Sequence, residues 1–355
     1  MAIFIMSPEH DIHAGRIEWG LRQSGFEVIR WSGLGWQREQ NASINFGTRD
    51  GVYLGDHRID SKDTFWFRRQ SLVTHPRVAI ADEKFAHGEY RAFLKTLLVN
   101  IEWTGAFCVN KGSAVQLIEN KSVQLTLAAR CGLRIPATVM ANTYRFVGEL
   151  QDTLTDDVVH KSYRPHSWFD QESGILCGTE TTCLDRNDRF ADEVYAYAPG
   201  IYQQKVQKEF DVRITMIGAD FHAFAVSTVD KALDWRTSGM FGKVTVERIQ
   251  LPDDVQAGLR KFAHAADIVF GCFDMAVDYA GAWWFLEVNQ AGQFLWIDEL
   301  LPDDGLYQPM LKLLSSREDL GDVNFPPYRD CIEQCPKQDD SVPLSKDLPY
   351  LTLEA

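Results

Sequence analysis

Residues 273–295 read FDMAVDYAGAWWFLEVNQAGQFL, and they restrict the fold more than any other part of the chain. Two apolar stretches flank Ala280-Gly281, a dipeptide suited to a tight turn, so the segment predicts a strand, a turn and a second strand. Side chains alternate along a strand, and residues two apart share a face. Glu287 and Asn289 therefore leave the second strand on one side. A carboxylate and a carboxamide oxygen on one face make a hard-oxygen cation site, and Asp274 on the paired strand can supply a third oxygen. A few oxygen ligands with room for water and phosphate is how nucleotide enzymes hold Mg2+. The plainer alternative is an exposed sheet edge with scattered polar residues. Trp283, Trp284, Phe285 and Leu286 make the segment too apolar for that.

The same residues resemble a known family. FLEVN preceded by an aspartate on a hairpin resembles the metal-binding end of ATP-grasp ligases. QAGQF after it resembles the microviridin-type graspetide synthetases, peptide ligases that macrocyclise ribosomal peptides. Trp66-Phe67-Arg68-Arg69 is similar to that family's aromatic pair followed by two arginines. The resemblance spans residues 1–315 and implies an α/β chain with the ATP-grasp fold behind an N-terminal α/β (pre-ATP-grasp) domain. It further implies ATP and Mg2+ as cofactors, a leader-bearing ribosomal precursor peptide as partner, and a homodimer.

Composition sets outer limits. The chain has 355 residues, 45% hydrophobic and 24% charged, enough for two or three domains with apolar cores. A net charge of −14 argues against a general nucleic-acid binder, because phosphate contacts need clustered Lys and Arg. The seven cysteines form no CxxC pair and no zinc spacing. Cys331 and Cys335 read as a solvated, reduced pair in a polar tail, and reduced thiols fit a cytoplasmic protein. MAIFIMSPEHD has an apolar run but no basic start and no cleavage pattern, so it predicts a first strand and not a signal. No apolar stretch reaches the ~18 residues that a membrane span needs.

Along the chain, strand 2–6, helix 12–24 and strand 26–31 predict a β-α-β start on a small parallel sheet. A hairpin over 44–54, a strand at 64–67, a long helix over 83–103 and a strand at 107–110 complete an N-terminal α/β domain, 1–112. A helix over 119–131, strands at 138–141 and 158–161 and a hairpin over 174–182 make a central ATP-grasp subdomain, 113–200, whose 162–198 insert suits peptide binding. A strand at 202–206, paired strands 211–217 and 221–229, a helix over 253–269 and the metal hairpin make a C-terminal subdomain, 201–315. Residues 316–355 carry prolines and acids without a period and predict an irregular tail.

Phosphate chemistry needs positive charge as well as a metal. No P-loop motif is present, and Gly33-Leu34-Gly35 lacks the third glycine of a dinucleotide fingerprint. Lys121 and Lys161 alone would be solvated lysines; the resemblance makes them the pair that clamps nucleotide phosphates. It also makes Gln203-Gln204-Lys205-Val206 the hinge whose backbone meets adenine, and Glu209 the acceptor from the ribose hydroxyls. Arg213 and Arg236 alone would be surface arginines. The resemblance puts them at the transferring phosphate, a role for which a permanently charged planar fork is suited. Arg68 and Arg69 suit either structural ion pairs or a grip on substrate, and His10 and His13 read as loop polarity. No Ser or Cys triad is visible, and none is needed where ATP supplies the activation.

The chain therefore reads as an ATP-dependent carboxylate ligase that forms acyl phosphates on Asp or Glu side chains of a precursor peptide and closes ester or amide rings. One alternative keeps the chemistry and adds glutamate or another amino acid to a protein or small-molecule carboxylate, as ligases that extend ribosomal-protein tails do. Another, from a different class, is an ATP-binding module without catalysis. Retention of Asp274, Glu287, Asn289 and Arg213 together argues against it.

Overall fold

The apolar run Ile3-Phe4-Ile5-Met6 forms strand β1 (Ile3–Met6), buried at every position, as befits a parallel strand covered on both faces. The computed structural model describes residues 1–34, 40–47, 49–68, 80–154, 157–163, 167–170, 175–178, 181–185, 190–228, 233, 235, 244–302, 305–318, 320–321 and 323–335. Helix α1 (Ile12–Gln23) starts where the Asp11 carboxylate accepts from the Ala14 amide at 2.9 Å, a side-chain N-cap. Strand β2 (Val28–Trp31) follows. Strands β3 (Ala42–Asn45), β4 (Gly51–Leu54) and β5 (His57–Arg58) form a separate antiparallel sheet, with β3 and β4 paired as the expected hairpin. Strand β6 (Thr64–Phe67), helix α2 (Ile80–Trp103) and strand β7 (Phe107–Val109) complete a parallel sheet ordered β2-β1-β6-β7. The chain leaves β1 in one direction to β2 and returns to its other side at β6. The crevice between the carboxyl ends of β1 and β6 is thus a topological switch point, where open α/β sheets receive ligands.

Helices α3 (Gly112–Ile118) and α4 (Lys121–Arg130) come next, with Asn120 capping α4 through its side-chain oxygen. Strand β8 (Thr138–Ala141), helix α5 (Tyr144–Thr153) and strand β9 (Val158–Lys161) lead to strands β10 (Ser167–Asp170), β11 (Ile175–Gly178) and β12 (Thr182–Leu184). Helix α6 (Asp192–Tyr197) and strand β13 (Gly200–Gln204) close an antiparallel sheet ordered β12-β9-β13-β8. It has its own small core of Val147, Leu150, Val158, Leu184, Tyr195 and Tyr202. The hairpin expected over 174–182 is not one unit. β11 pairs back onto β10, and β12 pairs with β9. Alternation marks a strand but does not name its partner, and β9 offered a free edge.

Strands β14 (Lys208–Ile217), β15 (Asp220–Thr228) and β16 (Val244–Ile249), helix α7 (Asp253–Ala266), and strands β17 (Phe270–Asp278) and β18 (Trp283–Asn289) build a five-stranded antiparallel sheet ordered β16-β15-β14-β17-β18. Gly281, at φ 79°, lies in the β17–β18 turn, a conformation open to glycine without a Cβ penalty. One core joins this sheet to α7 and α4 through Val212, Ile214, Phe262, Phe273, Phe285 and Leu125. Another joins it to the N-terminal sheet through Ile3, Trp66, Phe270, Phe294, Leu311 and Cys331.

Helix α8 (Trp296–Leu300) meets α1 through the Arg16–Glu299 ion pair, and helices α9 (Tyr307–Leu314) and α10 (Tyr328–Gln334) pack on α1. The tail expected to be irregular therefore contains a helix. Phe325, Tyr328 and Cys331 are buried in the main core, so Cys331 is not the solvated thiol the sequence suggested. Three apolar residues at spacings of three suffice to dock one short helix. So weak a period is not visible among prolines and acids. Among the described residues, no helix is long and apolar enough to cross a membrane.

Candidate active site

Asp274 on β17 lies between two strands that both bear on the site. Across β14 its partner is Arg213, and across β18 its partner is Glu287. Arg213 is 5% exposed. Its Nη1 donates to Asp274 Oδ1 at 2.8 Å and its Nη2 to the Gln293 carbonyl at 2.9 Å. Asp274 Oδ2 is buried without a hydrogen-bond partner among the described residues. A buried carboxylate oxygen left so is costly unless something absent from the chain satisfies it.

The β17–β18 register slips by one between Asp274 and Met275. Phe285 and Val288, three apart, are accordingly both buried in the core. This β-bulge lies before Glu287. From there the register is regular, with Glu287 opposite Asp274 and Asn289 opposite Cys272, so the two polar residues share a face as the strand period predicts. Lys121, the first residue of α4, bonds Glu287 Oε2. Two carboxylates thus face a buried guanidinium and an ammonium. Among the described residues there is no cluster of three His, Cys, Asp or Glu. The donor set is two carboxylates and one carboxamide, all oxygen, and the unsatisfied Asp274 Oδ2 makes it fit a hard divalent cation.

The loop after β18 is clamped. The Ala291 amide donates to Asn289 Oδ1 at 2.9 Å, which orients that carboxamide. The Ala291 carbonyl accepts from Arg68 Nη1, and the Gln293 carbonyl accepts from Arg213 and, at 3.3 Å, from Trp296 Nε1. Arg68 is 2% exposed at the end of β6, with Nε 3.7 Å from Asp11 Oδ2. It belongs to a structural ion pair and fills the switch-point crevice together with this loop. A Cβ on Gly292 would lie 2.5 Å from Cys272 Cβ and 3.0 Å from Arg213 Nη2, so only glycine lets the loop come this close. Burial pushes the Cys272 thiol pKa up, against the pull of Arg213.

Lys161, Gln203, Gln204, Lys205, Val206 and Glu209 lie on the antiparallel sheet β12-β9-β13-β8 and along its exit into β14. Lys161 Nζ donates to Gln203 Oε1 at 2.8 Å, and Gln203 Nε2 donates to Thr138 Oγ1 at 2.9 Å. Gln203 is 3% exposed. The Gln204 amide donates to the Ala137 carbonyl and the Lys205 amide to that of Asp157, both at 2.8 Å. Burial pulls the Lys205 ammonium down, but Cys183 and Asp157 outweigh it and leave its pKa raised. The Val206 carbonyl accepts from the Lys208 amide at 2.9 Å. Glu209 sits in a β-bulge where the β14–β17 register skips from Lys208 to Phe210, and it is exposed.

No protein-family model matches the chain, and no curated protein matches it in sequence. Solved structures do. A RiPP-associated ATP-grasp ligase of Chryseobacterium gregarium, in complex with ADP and a leader and core peptide, superposes with a TM-score of 0.78 at 23% identity, over 90% of this chain and 97% of that one. The macrocyclase MdnC of Microcystis aeruginosa, bound with precursor peptide MdnA, gives 0.73 at 18% identity, over 89% of this chain and 100% of that one. The chain has the ATP-grasp fold. The ATP-grasp ligase PsnB, complexed with minimal precursor, Mg and ADP, superposes at 0.67 with 19% identity, over 89% and 97%.

Within this ATP-grasp chain the structure brings Asp274, Glu287, Asn289, Arg213 and Lys121 together, and sets Lys161 beside Gln203. Arg236 and Arg69 lie outside the described residues. The sequence missed Gln124. This residue is 4% exposed on α4, one turn after Lys121, with its carboxamide on the Val288 backbone. A glutamine on the apolar face of a short helix was the only available signal.

Proposed function

We propose that this chain is an ATP-dependent carboxylate ligase that activates Asp or Glu side chains of a leader-bearing ribosomal precursor peptide and closes ester or amide macrocycles, as a cytoplasmic homodimer. The observation that carries this reading is the buried, unsatisfied Asp274 Oδ2 opposite Glu287 and beside Arg213. The likeness of the fold to ligases solved with ADP, Mg and precursor peptides supports the substrate class.

Asp274, Glu287 and Asn289 would hold Mg2+, which when bound neutralises phosphate charge. Arg213 presents a permanently charged fork to the transferring group. Lys121, Lys161 and Arg236 add positive charge where it builds in the transition state. Gln203 orients Lys161, the 204–206 backbone receives adenine, and Glu209 accepts from the ribose hydroxyls. A substrate carboxylate oxygen bonds to the γ-phosphorus as the bond to the β,γ-bridging oxygen breaks, leaving ADP and an acyl phosphate. A hydroxyl or amine of the same peptide then attacks the acyl carbon, inorganic phosphate leaves and a proton is released.

Mass spectrometry of the cognate peptide after incubation with ATP and Mg2+ tests this. The expected product is lighter by one water per ring, with one ADP formed for each. A peptide heavier by an added amino acid would replace macrocyclisation by amino-acid ligation. No ADP formation with any carboxylate substrate would remove ligase chemistry altogether.

A further inference from the structure

Strand β18 is the last in its sheet, so one side of its backbone has no strand neighbour. This edge strand carries two of the proposed cation ligands, Glu287 and Asn289, and two devices cover its open side. Near its start, the Phe285 amide donates to the Arg134 carbonyl at 2.8 Å. Near its end, Gln124 takes the place of a strand. Its Oε1 accepts from the Val288 amide at 2.9 Å, and its Nε2 donates to the Val288 carbonyl at 3.0 Å. Nε2 also donates to the Ile118 carbonyl at 2.6 Å, which ties the side chain to the end of α3. The Val288 N–H fixes which end of the carboxamide is oxygen.

Val288 stands between Glu287 and Asn289. Its side chain is 3% exposed in the core, so its neighbours on either side project to the opposite face. Holding both peptide groups of Val288 sets the strand twist between the two ligands, and therefore their separation. Helix α4 thus delivers two groups one turn apart: Lys121 to the Glu287 carboxylate, and Gln124 to the backbone beside it.

We infer that Gln124 is a positioning residue for the cation site, acting through the Val288 backbone to hold Glu287 and Asn289 in ligating geometry. This rests on the cation site proposed above. Groups that orient metal ligands from behind typically contribute about 10- to 100-fold in metal affinity.

The test measures ADP affinity of the full-length protein by calorimetry, with and without saturating Mg2+. The ratio of the two is the metal-linked gain. Gln124→Met keeps length and helix propensity but removes all three side-chain hydrogen bonds. It is expected to cut the gain by about tenfold or more while leaving metal-free ADP affinity unchanged. Gln124→Glu retains an acceptor for the Val288 amide and loses the donor; it is the variant to read if Gln124→Met does not fold, with a loss in the same direction. Ala128→Gly, a buried helix position away from the ligands, supplies comparable destabilisation and should leave the gain intact. A full gain in the Gln124 variants, or an equal loss in Ala128→Gly, overturns the inference. Glu287→Gln separates the two layers. If it abolishes the gain while the Gln124 variants keep theirs, only the positioning role falls; if it too keeps the gain, the cation site itself is misassigned and both fall.

Discussion

Glu287 is paired twice over, with Lys121 from α4 and with Asp274 as its cross-strand neighbour. Glu287→Gln preserves shape but removes one negative charge from the ligand set. ATP turnover by the purified variant is expected to fall at least ~100-fold, about 3 kcal/mol of barrier, with an unchanged melting curve. Turnover near wild type would remove the metal role. Lys121→Ala should reduce the rise in melting temperature that nucleotide plus Mg2+ produces by mass action, while Lys312→Ala, on α9, should leave it intact. Equal shifts in both would take Lys121 out of the nucleotide site. Strand period fixes faces, so Glu287, Asn289 and Asp274 could be put together from spacing, whereas Lys121 entered only through the family resemblance. Gln124 was not legible, since its partner is a main-chain unit that no side-chain pattern records. The same applies to Gln203: the sequence put it on a hinge read through its backbone, whereas its side chain bonds Lys161.

At the scale of elements, strands were easier to read than short helices. β6, β8 and β9 fall at the expected residues, whereas α3 and α5 went unseen. Seven residues give α3 too few turns for a period to stand out, and Gly148 weakens α5 as a helix signal. Helix α9 shows an element whose start depends on a distant residue. Asp298, 1% exposed, accepts from the Leu306 amide at 3.1 Å and the Tyr307 amide at 3.0 Å. Burial pushes its pKa up to about 6, against those two hydrogen bonds. The folded state therefore holds this proton more tightly than the unfolded chain. Asp298 imposes no ionisation penalty below about pH 4; the penalty grows as pH rises to about 6 and persists above, reaching roughly 3 kcal/mol. Denaturant unfolding of wild type and Asp298→Asn across pH 4 to 7 checks this. The wild type should lose stability relative to the variant as pH rises, and a pH-independent difference would contradict the burial argument.

On the scale of the whole molecule, the main core draws on both ends of the described chain, from Ile3 to Cys331. Removing residues 323–335 would uncover the pocket that holds Phe325, Tyr328 and Cys331. Each large apolar side chain lost from a core costs about 1.5–3 kcal/mol, so the shortened protein should melt well below the full chain and bind a hydrophobic dye. An unchanged melting temperature would mean that this segment only decorates the surface. Local periodicity predicted most strands of the three largest sheets but not this closure, because contacts between segments so far apart leave no local pattern.

The clamp on the loop after β18 has a mechanical side. Arg68 comes from the parallel sheet and Arg213 from the five-stranded one, and both hold carbonyls of the same short loop. Those two sheets share a core, while the sheet of β8, β9, β12 and β13 keeps a core of its own. Two sheets thus act as one frame, and the proposed cation ligands Asp274, Glu287 and Asn289 are all mounted on it, whereas the proposed nucleotide-facing residues of the third sheet are not. That third sheet carries Lys161 and Gln203, and residues 205–207 join its strand β13 to β14 of the frame.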